Sequence, residues 1–251
     1  MQYKQNFSNL NYNLLKKTIR EYDIKEAGFN LIKYYNLLSA EDINELSNMT
    51  KEERTIEIGK LQGYNKDFSK SLMDSFLKIQ DEFIKSNNLI DDDILSIRKD
   101  AIFVIGKVCN NVNFGEYVYF ANKSSYTSFY RIDKYEFYYN IKNNLLDIKG
   151  LNDLSHPLIG DLKSIIRLYE LRDKDYIFKK LQNLRYEYLN YDLDSEYYRE
   201  ISTGMFRISR DYNKISNQDL LIEEVDEETF DIIDISYNYL NLIYPFISLL
   251  I

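Results

Sequence analysis

Ile19-Arg20-Glu21-Tyr22-Asp23-Ile24-Lys25-Glu26-Ala27-Gly28-Phe29-Asn30-Leu31-Ile32-Lys33-Tyr34-Tyr35-Asn36-Leu37-Leu38 is the stretch whose reading decides the fold. Apolar and polar residues alternate from Ile19 to Ile24, the pattern of a strand with two different faces. From Ala27 to Leu38 the apolar residues Phe29, Ile32 and Tyr35 fall close to the helical period. The chain thus passes from strand to helix, with Asp23 at the end of the strand. Residues 9–20 read as a short helix leading in. Ser39-Ala40-Glu41-Asp42 follows as a cap, with Ser39 at the N-cap and Asp42 at the capping-box position.

The clearest helical block lies further along, over residues 50–62 and 66–87. Phe68, Leu72, Phe76, Ile79 and Phe83 form one apolar stripe, with Lys66, Lys70, Lys78 and Lys85 off it. Thr50 and Glu53 make a second capping box. Asp91-Asp92-Asp93 lacks the spacing and glycine of a calcium loop and reads as a solvated turn. Leu95-Ser96-Ile97 and Ile102-Phe103-Val104-Ile105 are strand-like, with Asp100 at the turn between them. Strand signals continue through Tyr117 to Phe120 and Tyr126 to Ile132, and Asn122-Lys123-Ser124-Ser125 between them reads as a hairpin turn. From His156-Pro157 the chain turns helical, with faces at Leu162, Ile165, Ile166 and Tyr169 and at Ile177, Leu181, Leu184 and Tyr188. Met205 to Ser209 suggests one more strand and Thr229 to Leu249 a final helix. The order predicts an α+β fold, an antiparallel sheet between two helical subdomains.

Composition narrows the chemistry. A single cysteine, Cys109, excludes an internal disulfide framework, and a single histidine, His156, excludes multi-histidine zinc sites. Catalysis therefore falls to carboxylates, Lys/Arg or hydroxyls. The net charge of −8 counts against a generally basic nucleic-acid binder. The start has no signal-peptide pattern. The most apolar segment, Ile235 to Ile251, is interrupted by Asn238, Asn241 and Pro245 and falls short of the roughly 20 residues a span requires, so it reads as a docked helix and no membrane is expected. The 24 tyrosines, with abundant Asn, Ile and Lys, are what an AT-rich coding sequence produces, as in low-GC bacteria and their phages. The expected location is the cytoplasm of a bacterial host.

One constellation stands out. Asp23 and Asp100 are each delivered by a predicted strand, and paired carboxylates are what Mg²⁺-assisted phosphoryl or nucleotidyl transfer requires. The order and local text of these segments resemble the palm of template-directed DNA polymerases, most nearly family B. Asp23 to Leu37 is similar to that family's first palm motif, with Asp23 at the metal-binding aspartate and Ile32 and Asn36 matching further along. Glu26, Ala27, Gly28 and Phe29 replace the family's serine, leucine, tyrosine and proline, so a glycine stands where a tyrosine would screen the ribose 2′ position. Arg54, Lys60 and Tyr64 resemble the fingers helix that grips the triphosphate. Arg98-Lys99-Asp100-Ala101-Ile102-Phe103-Val104 looks like the second palm motif. Asp100 matches its ligating aspartate, Arg98 replaces the other acid and Ala101 replaces the serine. Lys123-Ser124-Ser125-Tyr126 is similar to the lysine–tyrosine motif that holds the primer strand.

The resemblance covers roughly residues 19–130. It implies residues 1–150 as a palm-like sheet with a fingers-like helical insertion at about 40–90, and 151–251 as a thumb-like helical subdomain. It also implies a small nucleotidyltransferase acting on DNA with a nucleoside triphosphate and two Mg²⁺ ions. Asp23 and Asp100 would bind metal, Arg54, Lys60 and Tyr64 nucleotide, and Lys123 and Tyr126 DNA. Arg131, in the tyrosine-rich hairpin from Tyr126 to Tyr139, joins the DNA-binding set through base stacking. The alternative is a catalytically inactive, polymerase-derived phage accessory or host-inhibitor protein. It would bind a replication or host-defence factor, its acidic balance complementing a basic cleft. A carboxylate-only nuclease would use the same two aspartates and want a third acid nearby.

Plainer roles stand beside these. Asp23 is placed to cap the following helix, and Asp100 to pair with Arg98 or Lys99 in a turn. Lys60, Lys66 and Lys70 fit a solvated helix face, and the tyrosine-rich hairpin fits a sheet face packed on the C-terminal helices.

Overall fold

The structure, a computed structural model, describes residues 6–132, 135–149, 157–171, 174–190 and 192–198. The chain enters through two short strands, β1 (Asn6–Ser8) and β2 (Leu14–Leu15), before β3 (Ile19–Ile24). Four helices follow: α1 (Ala27–Tyr35), α2 (Ala40–Ser47), α3 (Lys51–Tyr64) and α4 (Lys66–Ser86). A single 3₁₀ turn at Asp91–Asp93 leads into β4 (Ile94–Arg98) and β5 (Ala101–Ile105), then β6 (Asn113–Phe114) and β7 (Val118–Tyr126). The remaining elements are β8 (Ser128–Ile132), β9 (Tyr135–Asn140), β10 (Leu145–Lys149), α5 (Leu158–Glu170) and α6 (Lys174–Leu189). The fold is α+β, with antiparallel sheets, and it divides into two compact units between Ser128 and Phe129.

In the first unit six strands run in the order β1-β4-β5-β3-β7-β6. Alternation along β3 decides what each face does. Tyr22 and Ile24 point to the helical side, where they join Ile102, Val104, Val118 and Phe120 in one buried cluster with the helices. The α4 stripe of Phe68, Leu72, Phe76, Ile79 and Phe83 is buried in that cluster, as its spacing predicts. Phe83 is its hub, with ring centroids 5.4 Å from Tyr22 and 4.3 Å from Phe120. The Tyr22 hydroxyl accepts the Cys109 amide at 2.8 Å, so this buried ring carries its polar atom to a partner. Gly115 adopts φ +58° where a Cβ would stand 2.9 Å from the Tyr34 ring, a position that both conformation and space reserve for glycine.

The caps are as the sequence places them. The Ser39 Oγ accepts the Asp42 amide at 3.1 Å, and Thr50 with Glu53 forms a full capping box. Two local expectations change. The predicted helix over 9–20 is instead loop and short strand, because the Asn9 side chain accepts the Asn11 amide and donates to the Asp91 and Ile94 carbonyls. These bonds offer the backbone an alternative to helix. The predicted turn at Asn122–Ser125 is the interior of β7. Glu21 pairs with Ser124 and Tyr22 with Asn122, so Lys123 is the extra residue of a β-bulge.

The second unit contains an antiparallel sheet in the order β10-β9-β8, together with α5 and α6. The tyrosine-rich hairpin is packed: Phe129, Tyr130, Phe137, Tyr138 and Tyr139 are all fully buried. Tyr130 meets the Tyr169 ring of α5 edge-on and bonds the Glu170 carboxylate. The helical faces predicted from Leu162, Ile165 and Ile166 and from Ile177, Leu181 and Leu184 are buried. His156, the strand expected at Met205 to Ser209 and the helix expected from Thr229 to Leu249 lie outside the described residues.

Replacing Phe83 with alanine removes the hub of the aromatic cluster and leaves a cavity that Tyr22 and Phe120 cannot close. The expected loss is about 3–5 kcal/mol, read from the urea midpoint at unchanged slope; Phe83→Leu is expected to lose less.

Candidate active site

Hydrogen bonding of β3 to two neighbours assembles a polar cluster at the end of the sheet. Asp23 stands opposite Ala101 on β5 and opposite Ala121 on β7. Small side chains on both sides leave the Asp23 carboxylate room. The Ile24 amide donates to the Asp100 carbonyl at 3.0 Å, tying the β4–β5 turn to the end of β3. Asp23 and Asp100, predicted as a pair, are thus delivered to adjoining strand ends.

Asp23 does not cap α1, whereas Asp100 is a turn residue on which the charge of Lys99 acts. The N-cap of α1 is Glu26, at φ 48°, and no side chain caps that helix, so Asp23 is free of capping. Arg98 bonds the Ser8 hydroxyl at 3.1 Å, and the Lys99 ammonium lies 5.2 Å from the Phe76 ring centroid. Lys99 itself adopts φ 47° in the tight turn, and its carbonyl accepts the buried Gln80 side-chain amide at 2.5 Å. That bond anchors the turn to α4 and holds Asp100 in place.

The electrostatics follow from this crowding. Burial, reinforced by the negative charge of Asp23, pushes the Asp100 carboxyl above the ordinary aspartate range. Lys123 reaches Asp23 Oδ2 at 2.7 Å and Glu21 Oε1 at 3.7 Å. Its hydrogen bond to Asp23 raises the Lys123 pKa further. Glu21 is 3% exposed and also accepts the buried Tyr126 hydroxyl at 3.0 Å. Glu21 is the acid of this cluster that motif reading misses. Its signal was the alternation of β3, which puts Glu21 and Asp23 two apart on one face.

Asp100 lies at the edge of a pocket of about 370 Å³ between α1, α3, α4 and the Lys99–Asp100 turn. Lys51, Arg54, Thr55 and Gln62 line it from α3, Gly28 and Phe29 from α1, and Asp100 lies in its wall. Arg54 is bound to Glu26 at 3.1 Å and stacks 4.3 Å from the Phe29 centroid; its buried Nε has no hydrogen-bond partner. Of the three predicted nucleotide-binding residues, only Arg54 lines this pocket. Lys60 pairs with Glu57 at 3.0 Å on the exposed side, and Tyr64 is exposed at the end of α3. The pocket-facing residues of α3 recur at 51, 54–55, 58–59 and 62, one helical face that Lys60 and Tyr64 do not share.

Two of the three predicted DNA-binding residues sit in enclosed pairs, and Lys123 is half exposed. Tyr126 is buried on Glu21, and Arg131, in the second unit, is buried in an ion pair with Glu136 at 3.3 Å. Asp23 and Asp100 are the side chains here that could hold an Mg²⁺ ion, one that keeps its waters and draws further oxygens from phosphates. Among the described residues no group of three or more His, Cys, Asp or Glu is placed to hold a metal ion.

Asp100 binds its proton more tightly in the folded protein than in the unfolded chain. It therefore costs stability as pH rises from about 4, the ordinary aspartate value, through its higher folded value. Asp100→Asn is expected to raise the melting temperature at pH 7, with the gain vanishing at pH 3; calorimetry across that range checks it.

No helix among the described residues is long and apolar enough to cross a membrane. Comparison with curated proteins finds no significant match. One family model, described as the bacteriophage PBS1 gene 130 protein, matches residues 1–251. The chain belongs to the bacteriophage PBS1 gene 130 protein family.

Proposed function

We propose that the protein is a small palm-type nucleotidyltransferase acting on DNA, with Asp23 and Asp100 as its metal-binding carboxylates. The observation that carries this reading is the position of Asp100. It lies near enough to Asp23 to feel its charge, and it forms part of the wall of the pocket lined by Lys51, Arg54 and Lys99. A triphosphate needs such an arrangement, with cationic side chains around its oxygens and carboxylate-held cations at the reacting end.

Bound Mg²⁺ would polarise the phosphorus centre and stabilise the attacking and leaving oxygens. Asp23 and Asp100 would hold it. Arg54, stacked on Phe29 and oriented by Glu26, has a fixed guanidinium with an unpaired buried donor, suited to a phosphate oxygen. Lys51 and Lys99 add positive charge, and Glu26 to Phe29, at a start of α1 that no side chain caps, line the same pocket. Gly28 presents no side chain to it; a Cβ there would meet Ile58 only at 3.9 Å.

A second reading draws on the ion pair between Lys123 and Asp23. A carboxylate neutralised by a resident ammonium, in a chain of net charge −8, also suits an inactive polymerase-derived scaffold that binds a basic protein, a replication or host-defence factor.

Primer extension with Mg²⁺ and deoxynucleotides separates the two. The enzyme reading expects template-dependent incorporation that falls at least about a hundredfold in Asp100→Ala, and a nucleotide KM raised about tenfold or more in Arg54→Ala. Absence of incorporation and of Mg²⁺-dependent nucleotide binding, together with a stoichiometric protein partner on purification from infected cells, would reverse the assignment.

A further inference from the structure

Lys123 occupies the position at which an added cation would be drawn to the acids. It is the bulged residue of β7, so its backbone leaves the regular ladder where its ammonium must reach Asp23 and Glu21 on β3. A residue in regular register opposite Glu21, such as Ser124, is too short to make that contact. Glu21 is almost wholly buried, and a buried carboxylate requires a counter-charge. The lysine side chain is 56% exposed, so its stem has solvent to swing into. The cluster is therefore firmly held at Glu21 and loosely held at the ammonium end.

We infer that Lys123 is a resident counter-ion, which holds the acidic site together without a divalent cation and must leave Asp23 when one binds. The inference rests on the reading of Asp23 and Asp100 as metal-binding carboxylates. It adds that cation affinity is set by competition with an ammonium of the protein itself. Lys123 is then a positioning residue whose removal strengthens metal binding rather than weakening it. The alanines opposite Asp23 supply no alternative donor, so the exchange is direct, ammonium for metal ion.

The test uses the full chain and Mn²⁺ alone, without nucleotide or DNA. Free Mn²⁺ is followed by electron paramagnetic resonance for wild type, Lys123→Met, Lys123→Arg and Asp100→Asn. Lys123→Met is expected to bind at least about tenfold tighter than wild type, since a contacting positive charge is gone. Lys123→Arg, which keeps the charge, is expected within about threefold of wild type. Equal affinity of wild type and Lys123→Met, lowered by Asp100→Asn, would overturn the counter-ion role while leaving the carboxylate site standing. No binding to any of the four would end both. A second measurement is independent of how the methionine variant folds. In wild type carrying ¹³C-dimethylated lysines, the Lys123 resonance, identified by its absence from Lys123→Arg, is expected to move on Mg²⁺ addition. A resonance unmoved at saturating Mg²⁺ would overturn the exchange.

Discussion

The double-edged hydrogen bonding of β3 is the constraint from which the rest of the first unit follows. Because β3 is paired on one side with β5 and on the other with β7, it gathers residues from distant parts of the chain at one place. Asp23 meets Lys123, a hundred positions further along. Asp100 arrives with the β4–β5 turn, which is fastened to β3 by the amide of Ile24 and to α4 by Gln80. No local propensity brings these groups together; the ladder does.

The same strand divides its labour between faces. Tyr22 and Ile24 supply the apolar cluster that seats the helices, and Glu21 and Asp23 carry the acids. A one-residue slip of register would exchange the two sets, burying carboxylates among phenylalanines. The hydrophobic cluster therefore stabilises the fold and also specifies which face holds the charges. Negative charge accumulated here works against stability, and the Asp100 carboxyl is displaced upward first by burial and then by the charge of Asp23. Lys123 offsets part of it.

The legible parts of the fold are those governed by short-range periodicity. The α4 stripe, the capping boxes at Ser39 and Thr50, the β4–β5 turn at Asp100 and the packed faces of α5 and α6 all follow from spacing alone. Helix α3 was not legible in phase. It buries only Ile58, so no apolar stripe tells which of its polar residues point inward. Motif likeness selected Lys60 and Tyr64, whereas tertiary placement turns Lys51, Thr55 and Gln62 toward the pocket. Polar Asn122 to Ser125 looks like a turn in one dimension. Pairing with β3 keeps it extended, and the mismatch is absorbed in one bulged residue.

That bulge is where sequence and site part company most instructively. A lysine in a polar tetrapeptide has many solvated conformations, and nothing local distinguishes Lys123 from Lys107 or Lys142. Inserted as one extra residue opposite the Glu21–Tyr22 step, it is aimed at two carboxylates whose own positions are fixed by the alternation of β3. Register error in one strand thus becomes charge placement in the site. The buried Tyr126 hydroxyl on Glu21 completes the arrangement by orienting that carboxylate. Asp23 has no such brace: alanines flank it and its ion-pair partner is the half-exposed ammonium of a lysine. Of the two β3 acids, Glu21 is held by Tyr126 as well as Lys123, while Asp23 is held by the half-exposed Lys123.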